Sequence, residues 1–471
     1  MKKIYRVIIA LLFSTALVKV LNFLKELEIA YFYGTSNELD YFNIILITPN
    51  LILSSIAPAL GMVLVTYLAN EEKVLKISIK EILFYIIIIF TTIFGINLIL
   101  LLEDLIDFKS LLFSIVISFL FCIQVLLVYY LHCFGEFNKG SISSLIQILF
   151  NLVLILISIW YKSYLILVLG LGIGLIIQIL YLIKTINKNK LLINKFETNK
   201  RNPFLNSFFS VLLGYGLIEI TISIQKLFAT KIEIEGIISS ISYAYKVMNL
   251  PISIILFAVL SVVFPKMVDL NSERLNIIWK NLLLGIVSLI LPAAVLFYLN
   301  SQIIIELLFG RGEFNQSSVN ITSNQLKSFS LLLLPLAIYS SILRIHFLNK
   351  KWVKIYGSAL SILCSLTIIN IFSIYTTNYF LFSNSMFIAF LIGLLFSFKE
   401  IYVASRNKDI LVILIFNVAY IIGFINLTDV PNLSNLIIGT LSYCLIYVII
   451  LKTTKNPFIE KIKVKKGEFN K

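Results

Sequence analysis

Between Ile82 and Leu102 the chain runs through 21 residues without a charged side chain, and between Ile410 and Leu427 through 18 more. Apolar stretches of this length match what an α-helix needs to cross the roughly 30 Å hydrocarbon core of a bilayer. Lipid satisfies no backbone hydrogen bonds, so a spanning element must be a helix or part of a closed barrel. Barrel strands alternate apolar and polar residues over roughly ten positions, and these runs do not alternate. The sequence therefore predicts an all-α polytopic membrane protein. Its composition agrees: 13% of residues are charged and mean hydropathy is +0.98, whereas a soluble domain keeps about 25% charged residues to cover its surface.

Charged or turn-rich breaks divide the 471 residues into apolar segments centred near residues 20, 54, 91, 121, 150, 174, 217, 251, 286, 334, 363, 391, 418 and 443, about 14 transmembrane helices in all. The first is too long for a signal-peptide core and carries internal charges, so it reads as a retained span. With the N-terminus inside, Lys2, Lys3, Arg6, Lys73, Lys76, Lys80, Lys184 to Arg201, Lys266, Arg274, Lys280, Lys350, Lys351, Lys354, Lys399, Arg406, Lys408 and the tail fall on the cytoplasmic side. Outside loops hold only Lys109, Lys162, Lys231 and Arg311. That asymmetry obeys the positive-inside rule and predicts cytoplasmic termini. It also accounts for the net charge of +15 without nucleic acid as a partner. Cys122, Cys133, Cys364 and Cys444 lie far apart with no CxxC spacing, which argues against metal or disulfide roles.

The longest polar break, Asn187 to Pro203, follows span 6 and suggests two six-span halves. Tyr41 precedes Pro49 by eight residues, and Tyr243 precedes Pro251 by eight. His132 and His346, the only histidines, close spans 4 and 10 and are followed by Asn138-Lys139 and Asn349-Lys350. These pairs predict a parallel repeat about an axis along the membrane normal. The expected organisation is an N-terminal lobe (1–190), a cytoplasmic linker (191–203), a C-terminal lobe (204–405), spans 13 and 14 (406–452) and a basic cytoplasmic tail (453–471).

Charges inside the spans carry the functional signal, because each costs about 2.5–3.5 kcal/mol at mid-membrane on insertion scales. Span 1 places Lys19, Asn22 and Glu26 along one helical stripe, with Lys25 and Glu28 beside it. Span 7 carries Glu219 and Lys226 on one face, span 8 adds Lys246, and span 10 adds Lys327 and Arg344. Several have structural readings. Lys25, Glu26 and Glu28 could snorkel to an interface, Lys19 could pair with Glu26, Lys226 or Lys246 with Glu219, and Lys327 and Arg344 lie near segment ends. The two histidines fit interfacial hydrogen bonding more simply than proton carriage. The functional reading is that cations outnumbering acids line a cavity for an anionic substrate. No G-x-x-x-x-G-K-[ST] loop and no large soluble segment occur, so the chain reads as a transporter rather than an enzyme, without a cofactor, driven by a coupling ion (Na+ or H+) or by the membrane potential. Pro49, Pro58, Pro251, Pro292 and Pro335, with Gly61 and Gly310, permit bending in the spans.

The run YFYGTSNELDYFNIILITPN up to Pro49-Asn50, the run SYAYKVMNLPISIILFAVLSVVFPKM in span 8 and LLFGRGEF at Leu307 to Phe314 resemble the lipid II flippase family (MurJ/MviN), within the multidrug/oligosaccharidyl-lipid/polysaccharide exporter superfamily. The similarity covers roughly residues 8 to 350. The resemblance implies two six-helix lobes in a V plus two C-terminal helices forming a lipid-tail groove. It implies a bacterial plasma (inner) membrane protein of peptidoglycan biosynthesis, cell wall biogenesis and cell shape, or of related polysaccharide export, with membrane lipids and cell-envelope synthesis proteins as partners. Matched to the family's pattern, its two span-1 arginines fall on Lys19 and Lys25, the following acid on Glu26, the next loop's aspartate on Asp40, the Pro-Asn pair on Pro49-Asn50 and the span-8 arginine on Lys246. Two departures stand out: the family's paired arginines after Pro-Asn are Leu53 and Ser54 here, and its acid-Gly is Pro58-Ala59. Lysine keeps the charge but loses the bidentate fork on phosphate.

The resulting expectation is a lipid-linked oligosaccharide flippase that moves an undecaprenyl-diphosphate-linked glycan, lipid II or a related oligosaccharide, outward by alternating access. Lys19, Lys25, Lys246 and Asn50 would bind the substrate, Glu26, Asp40 and Glu219 would support or couple, and Lys226 is a further intramembrane cation. The alternative is a sodium- or proton-coupled multidrug-type exporter, which would need acids in a lobe cavity; Glu219 and Glu26 are the candidates.

Overall fold

The computed structural model describes residues 2–68, 74–75, 79–161, 163–188, 195–196, 208–209, 211–253, 272–405, 408–427, 442–443, 446–447 and 450. The 453–471 tail, nearly all of the 191–203 linker, the stretch of span 8 after residue 253 and most of span 14 lie outside them. The chain is helical, as lipid demands. The helices are α1 (Lys2–Tyr33), α2 (Asn37–Ile45), α3 (Ile47–Leu51), α4 (Ala57–Leu68), α5 (Ile79–Leu102), α6 (Phe108–Cys133), α7 (Phe137–Tyr161) and α8 (Tyr164–Lys188). They continue with α9 (Leu217–Ala229), α10 (Ile237–Pro251), α11 (Ser272–Phe309), α12 (Gln316–Leu348), α13 (Trp352–Tyr375), α14 (Tyr379–Leu394), α15 (Phe398–Ser405) and α16 (Lys408–Leu427). Two short strands, Val74–Leu75 and Lys195–Phe196, pair in parallel.

Among the described residues seven helices are long and apolar enough to cross a membrane, or eight if α2 and the helix after it count as one bent span. The fourteen segments read from hydropathy include others, several of which lie partly outside the described residues. Helices α9 and α10, with 13 and 15 residues, fall short of a span's length.

The chain divides into two compact units, Met1–Ser239 with Arg311–Asn315, and Ser240–Gly310 with Gln316–Lys471. In the first, α1 packs on α7, α7 on α8, and α6 against α3, α4 and α8, while α9 packs on α3. Gln178 Nε2 donates to Ser143 Oγ at 3.0 Å between α7 and α8, a polar tie of the kind that joins helices where lipid supplies no hydrophobic drive. In the second unit α11 pairs with α12, α13 with α14, and α12 with α14. Asn300 breaks α11 with φ −118° and ψ 22°, eight residues after Pro292. His346 is buried, with Nε2 2.6 Å from Ser397 Oγ, which is the hydrogen-bonding role expected of it.

Span 2 bends by 48° between α2 and α3. The ring of Pro49 clashes with the carbonyl four residues back and offers it no N–H, which puts the break at Ile45–Leu46. A π-helical turn, Ile52–Ile56, follows before Pro58. In the second half residues 252–253, directly after Pro251, are also π-helical. Gly34 and Gly236, both left-handed (φ +55° and +78°), precede α2 and α10. They are 202 residues apart, the same offset as the two prolines.

Candidate functional site

The first unit holds seven of the eight predicted site residues. On α1, Lys25 Nζ lies 3.2 Å from Glu26 Oε1, the two side chains 19% and 13% exposed. Lys19, two turns earlier, is exposed, and no described carboxylate pairs with it. The ion pair on this helix therefore joins Lys25 to Glu26. Of these two lysines, Lys25 is thus paired with a carboxylate and Lys19 is not.

Asn50 lies half-buried in α3, the helix on which α9 packs. On α9, Glu219 and Lys226 stand seven residues apart, hence on one face. Lys226 is 7% exposed, and neither residue is without a partner. A second π-helical turn, Leu212–Gly216, enters α9 and packs against the one in span 2. Gly216 makes the approach possible, since a Cβ there would lie 2.6 Å from that of Ser55. The Ser55 hydroxyl in turn donates to the Leu51 carbonyl. π turns of this kind often mark functional segments of helices. Leu53 sits in the span-2 turn and packs into an apolar cluster with Leu212 and Ile220. The position that the resemblance matches to an arginine is thus packed hydrocarbon on hydrocarbon.

Asp40 is held differently from the other acids. It is buried, and its Oδ1 accepts the Ser239 backbone N–H at 2.7 Å. The Ile238 and Gly236 backbones also hydrogen-bond to it. Asn43, one turn along, donates to Ser239 Oγ at 3.2 Å. Among the described residues no lysine or arginine forms an ion pair with Asp40. Its negative charge meets the first amides of α10, the end of a helix that favours an anion. In the second unit Lys246 is half-buried with Nζ 5.7 Å from the centroid of the buried Tyr243 ring, a geometry that stabilises a cation.

Sequence reasoning missed a knot of three loops in the first unit. The Glu313 N–H donates to the Tyr31 carbonyl at 2.8 Å. Gly312 is left-handed (φ +62°), and a Cβ there would lie 2.2 Å from the Tyr31 oxygen. One at Gly34 would lie 2.4 Å from the Glu313 oxygen, and one at Gly236 2.4 Å from the Thr35 oxygen. The three motifs that carried the family resemblance thus meet at, or begin beside, one close backbone junction. The available signal was the glycine in each motif or just before it. Asp107 caps α6 by accepting the Ser110 N–H at 3.0 Å and takes a bond from Tyr41 Oη at 3.1 Å. The hydrogen bonds from Ser110, then Tyr41, hold its carboxyl below the usual carboxylate range.

A family model described as the lipid II flippase MurJ matches residues 13–437. A probable lipid II flippase MurJ of Buchnera aphidicola subsp. Acyrthosiphon pisum (strain APS) is 27% identical over 217 residues, 44% of this chain. That alignment spans 42% of the relative's length, less than half. A solved lipid II flippase MurJ in an inward closed conformation matches with a TM-score of 0.73 at 18% identity, covering 96% of this chain and all of that one. An inward-facing multidrug resistance MATE family transporter of the MOP superfamily matches at 0.56 and 14% identity over 83% of this chain and 96% of that one. At such identities the two structures speak for the fold. The family model, which takes in most of the chain, speaks for descent: this multi-pass membrane protein belongs to the lipid II flippase MurJ family.

Proposed function

We propose that the chain moves a lipid-linked anionic glycan, lipid II or a related undecaprenyl-diphosphate oligosaccharide, from the inner to the outer leaflet of the bacterial plasma membrane by alternating access. The observation that carries this reading is the match to the lipid II flippase model over residues 13–437. The intramembrane cations support it. Lys19 and Lys25 on α1 and Lys246 on α10 would take the diphosphate, with Asn50 as a hydrogen-bonding neighbour and Lys226 as a reserve of positive charge. Glu26, already 3.2 Å from Lys25, would release substrate by reclaiming that lysine, and Glu219 would do the same on α9.

The positive-inside asymmetry supports cytoplasmic termini. With that orientation an inside-negative potential favours outward movement of an anion by about 2.3 kcal/mol per charge per 100 mV. The same field draws the emptied cationic cavity back inward, so the potential can drive the cycle, with or without a coupled Na+ or H+.

Complementation tests the reading. In a bacterium whose own lipid II flippase is shut off, the chain is expected to restore growth. The Lys246→Ala variant, inserted at equal level, is expected to fail. Failure of the well-expressed wild type would move the substrate to another lipid-linked oligosaccharide. Rescue that survives Lys246→Ala would remove that lysine from the site.

A further inference from the structure

A groove of about 340 Å³ opens in the second unit among α11, α12 and α14, apart from every residue assigned to transport above. Its volume falls in the range of small-ligand sites. Lys327 of α12 stands in it with Nζ 4.9 Å from the centroid of the Tyr298 ring of α11. Among the described residues no carboxylate pairs with Lys327. Lys327 is exposed, and the Tyr298 ring gives its ammonium an aromatic partner at the groove.

Across the groove stands Asn384 of α14, 5% exposed. Its Nδ2 donates to the Phe380 carbonyl at 2.9 Å, which fixes the orientation of the amide. Its Oδ1 is left buried with no hydrogen-bond partner. A buried acceptor without a partner is unfavourable, and a donor that reached it from the groove would satisfy it. Tyr379 also lines the groove, its phenol oxygen taking a hydrogen bond from Gln325 Nε2 at 2.6 Å. The groove is thus lined by a cation and by a residue with an unused acceptor.

The aromatic side chains at this end of α14 give the level in the membrane. Tyr375 is 87% exposed and Phe380 78%, flanking the turn that Asn378 caps. Exposed aromatics at the end of a span sit at the headgroup level. A ligand that brings an anion and a hydroxyl to this depth, with apolar substance beside Phe380, is a glycerophospholipid.

We propose that this groove binds the headgroup of a phosphatidylglycerol-type lipid, the phosphodiester on Lys327 and a headgroup hydroxyl donating to Asn384 Oδ1. Native mass spectrometry of the full chain in detergent, titrated with phosphatidylglycerol, phosphatidic acid, diacylglycerol or glycerol 3-phosphate, tests it. One phosphatidylglycerol is expected to bind in preference to the other three. Lys327→Gln is expected to weaken that binding about tenfold or more, while Lys327→Arg keeps it. Asn384→Leu is expected to erase the preference over phosphatidic acid, which lacks the glycerol headgroup and its hydroxyls. Folding of each variant is checked by its melting temperature. Undiminished binding to a folded Lys327→Gln protein would overturn the site. Equal binding of glycerol 3-phosphate would overturn the lipid as its occupant. Lipid binding is read without transport, so the outcome stands apart from that of the complementation experiment.

Discussion

Replacing Gly312 with alanine is expected to lower the melting temperature of the full chain sharply, and the same change at Gly135 by much less. Both glycines are left-handed, at φ +62° and +75°, and a side chain in that region costs about 1–2 kcal/mol at either place. They differ in what a Cβ would meet. Nothing lies within 4 Å at Gly135, whereas at Gly312 the Tyr31 carbonyl oxygen is 2.2 Å away. That oxygen is backbone and already accepts the Glu313 N–H, so it cannot turn aside as a side chain could. Alanine must push the 311–315 loop off the end of α1 and break the bond, adding about 1 kcal/mol or more. Gly95→Ala serves as the control. It sits inside α5 with open space around it, so alanine there is expected to be neutral or to stabilise by about 0.5–1 kcal/mol. Equal losses at Gly312 and Gly135 would mean that the loop contact contributes nothing.

The second large effect is expected at Asp40. Removing its carboxylate with alanine leaves the buried Ser239 amide, and its neighbours at the start of α10, without their acceptor. Hydrogen bonds to a charged group contribute about 1.5–3 kcal/mol, and the charge also meets the positive end of the helix. Amide exchange at Ile238 and Ser239, read by mass spectrometry, is expected to rise by about tenfold to a hundredfold in Asp40→Ala. Asp40→Asn keeps one acceptor oxygen and is expected to lose only part of the protection. The alternative role, an acid that neutralises the transport lysines, gives another pattern. Alanine and asparagine would then impair transport alike while those amides stayed protected.

These two sites show where the sequence could be read and where it could not. The helical membrane architecture follows from runs such as Ile82 to Leu102, because lipid leaves the backbone no other way to satisfy itself. The repeat was read from Tyr41, Pro49, Tyr243 and Pro251, and the left-handed Gly34 and Gly236 share the offset of those pairs. The neighbour of Asp40 was not legible. Its partner amide lies 199 residues away, and hydropathy carries no information about which loop end meets which helix start. The same holds for Glu313 and Tyr31. A close backbone contact leaves only a glycine as its trace, and glycine has many other uses in a membrane helix. The missing arginines at Leu53 and Ser54 were visible as a departure from the family pattern. Only packing shows that Leu53 lies in an apolar cluster, so a charge restored there would have to displace hydrocarbon.

The transport account rests on lysines doing what the family's arginines do. Lysine delivers the charge without the planar fork, so each phosphate contact depends on a single ammonium, and losing one lysine should cost a full contact. Outer-leaflet exposure of lipid II tests this most directly. A membrane-impermeant probe would label it in cells that carry this chain as their sole lipid II flippase. The wild type is expected to expose lipid II, and Lys19→Gln, Lys25→Gln and Lys246→Gln to lower the exposure rate about tenfold or more each at equal protein level. Glutamine variants that expose lipid II at the wild-type rate would contradict the account, because transport would then proceed without the charges proposed to hold the diphosphate.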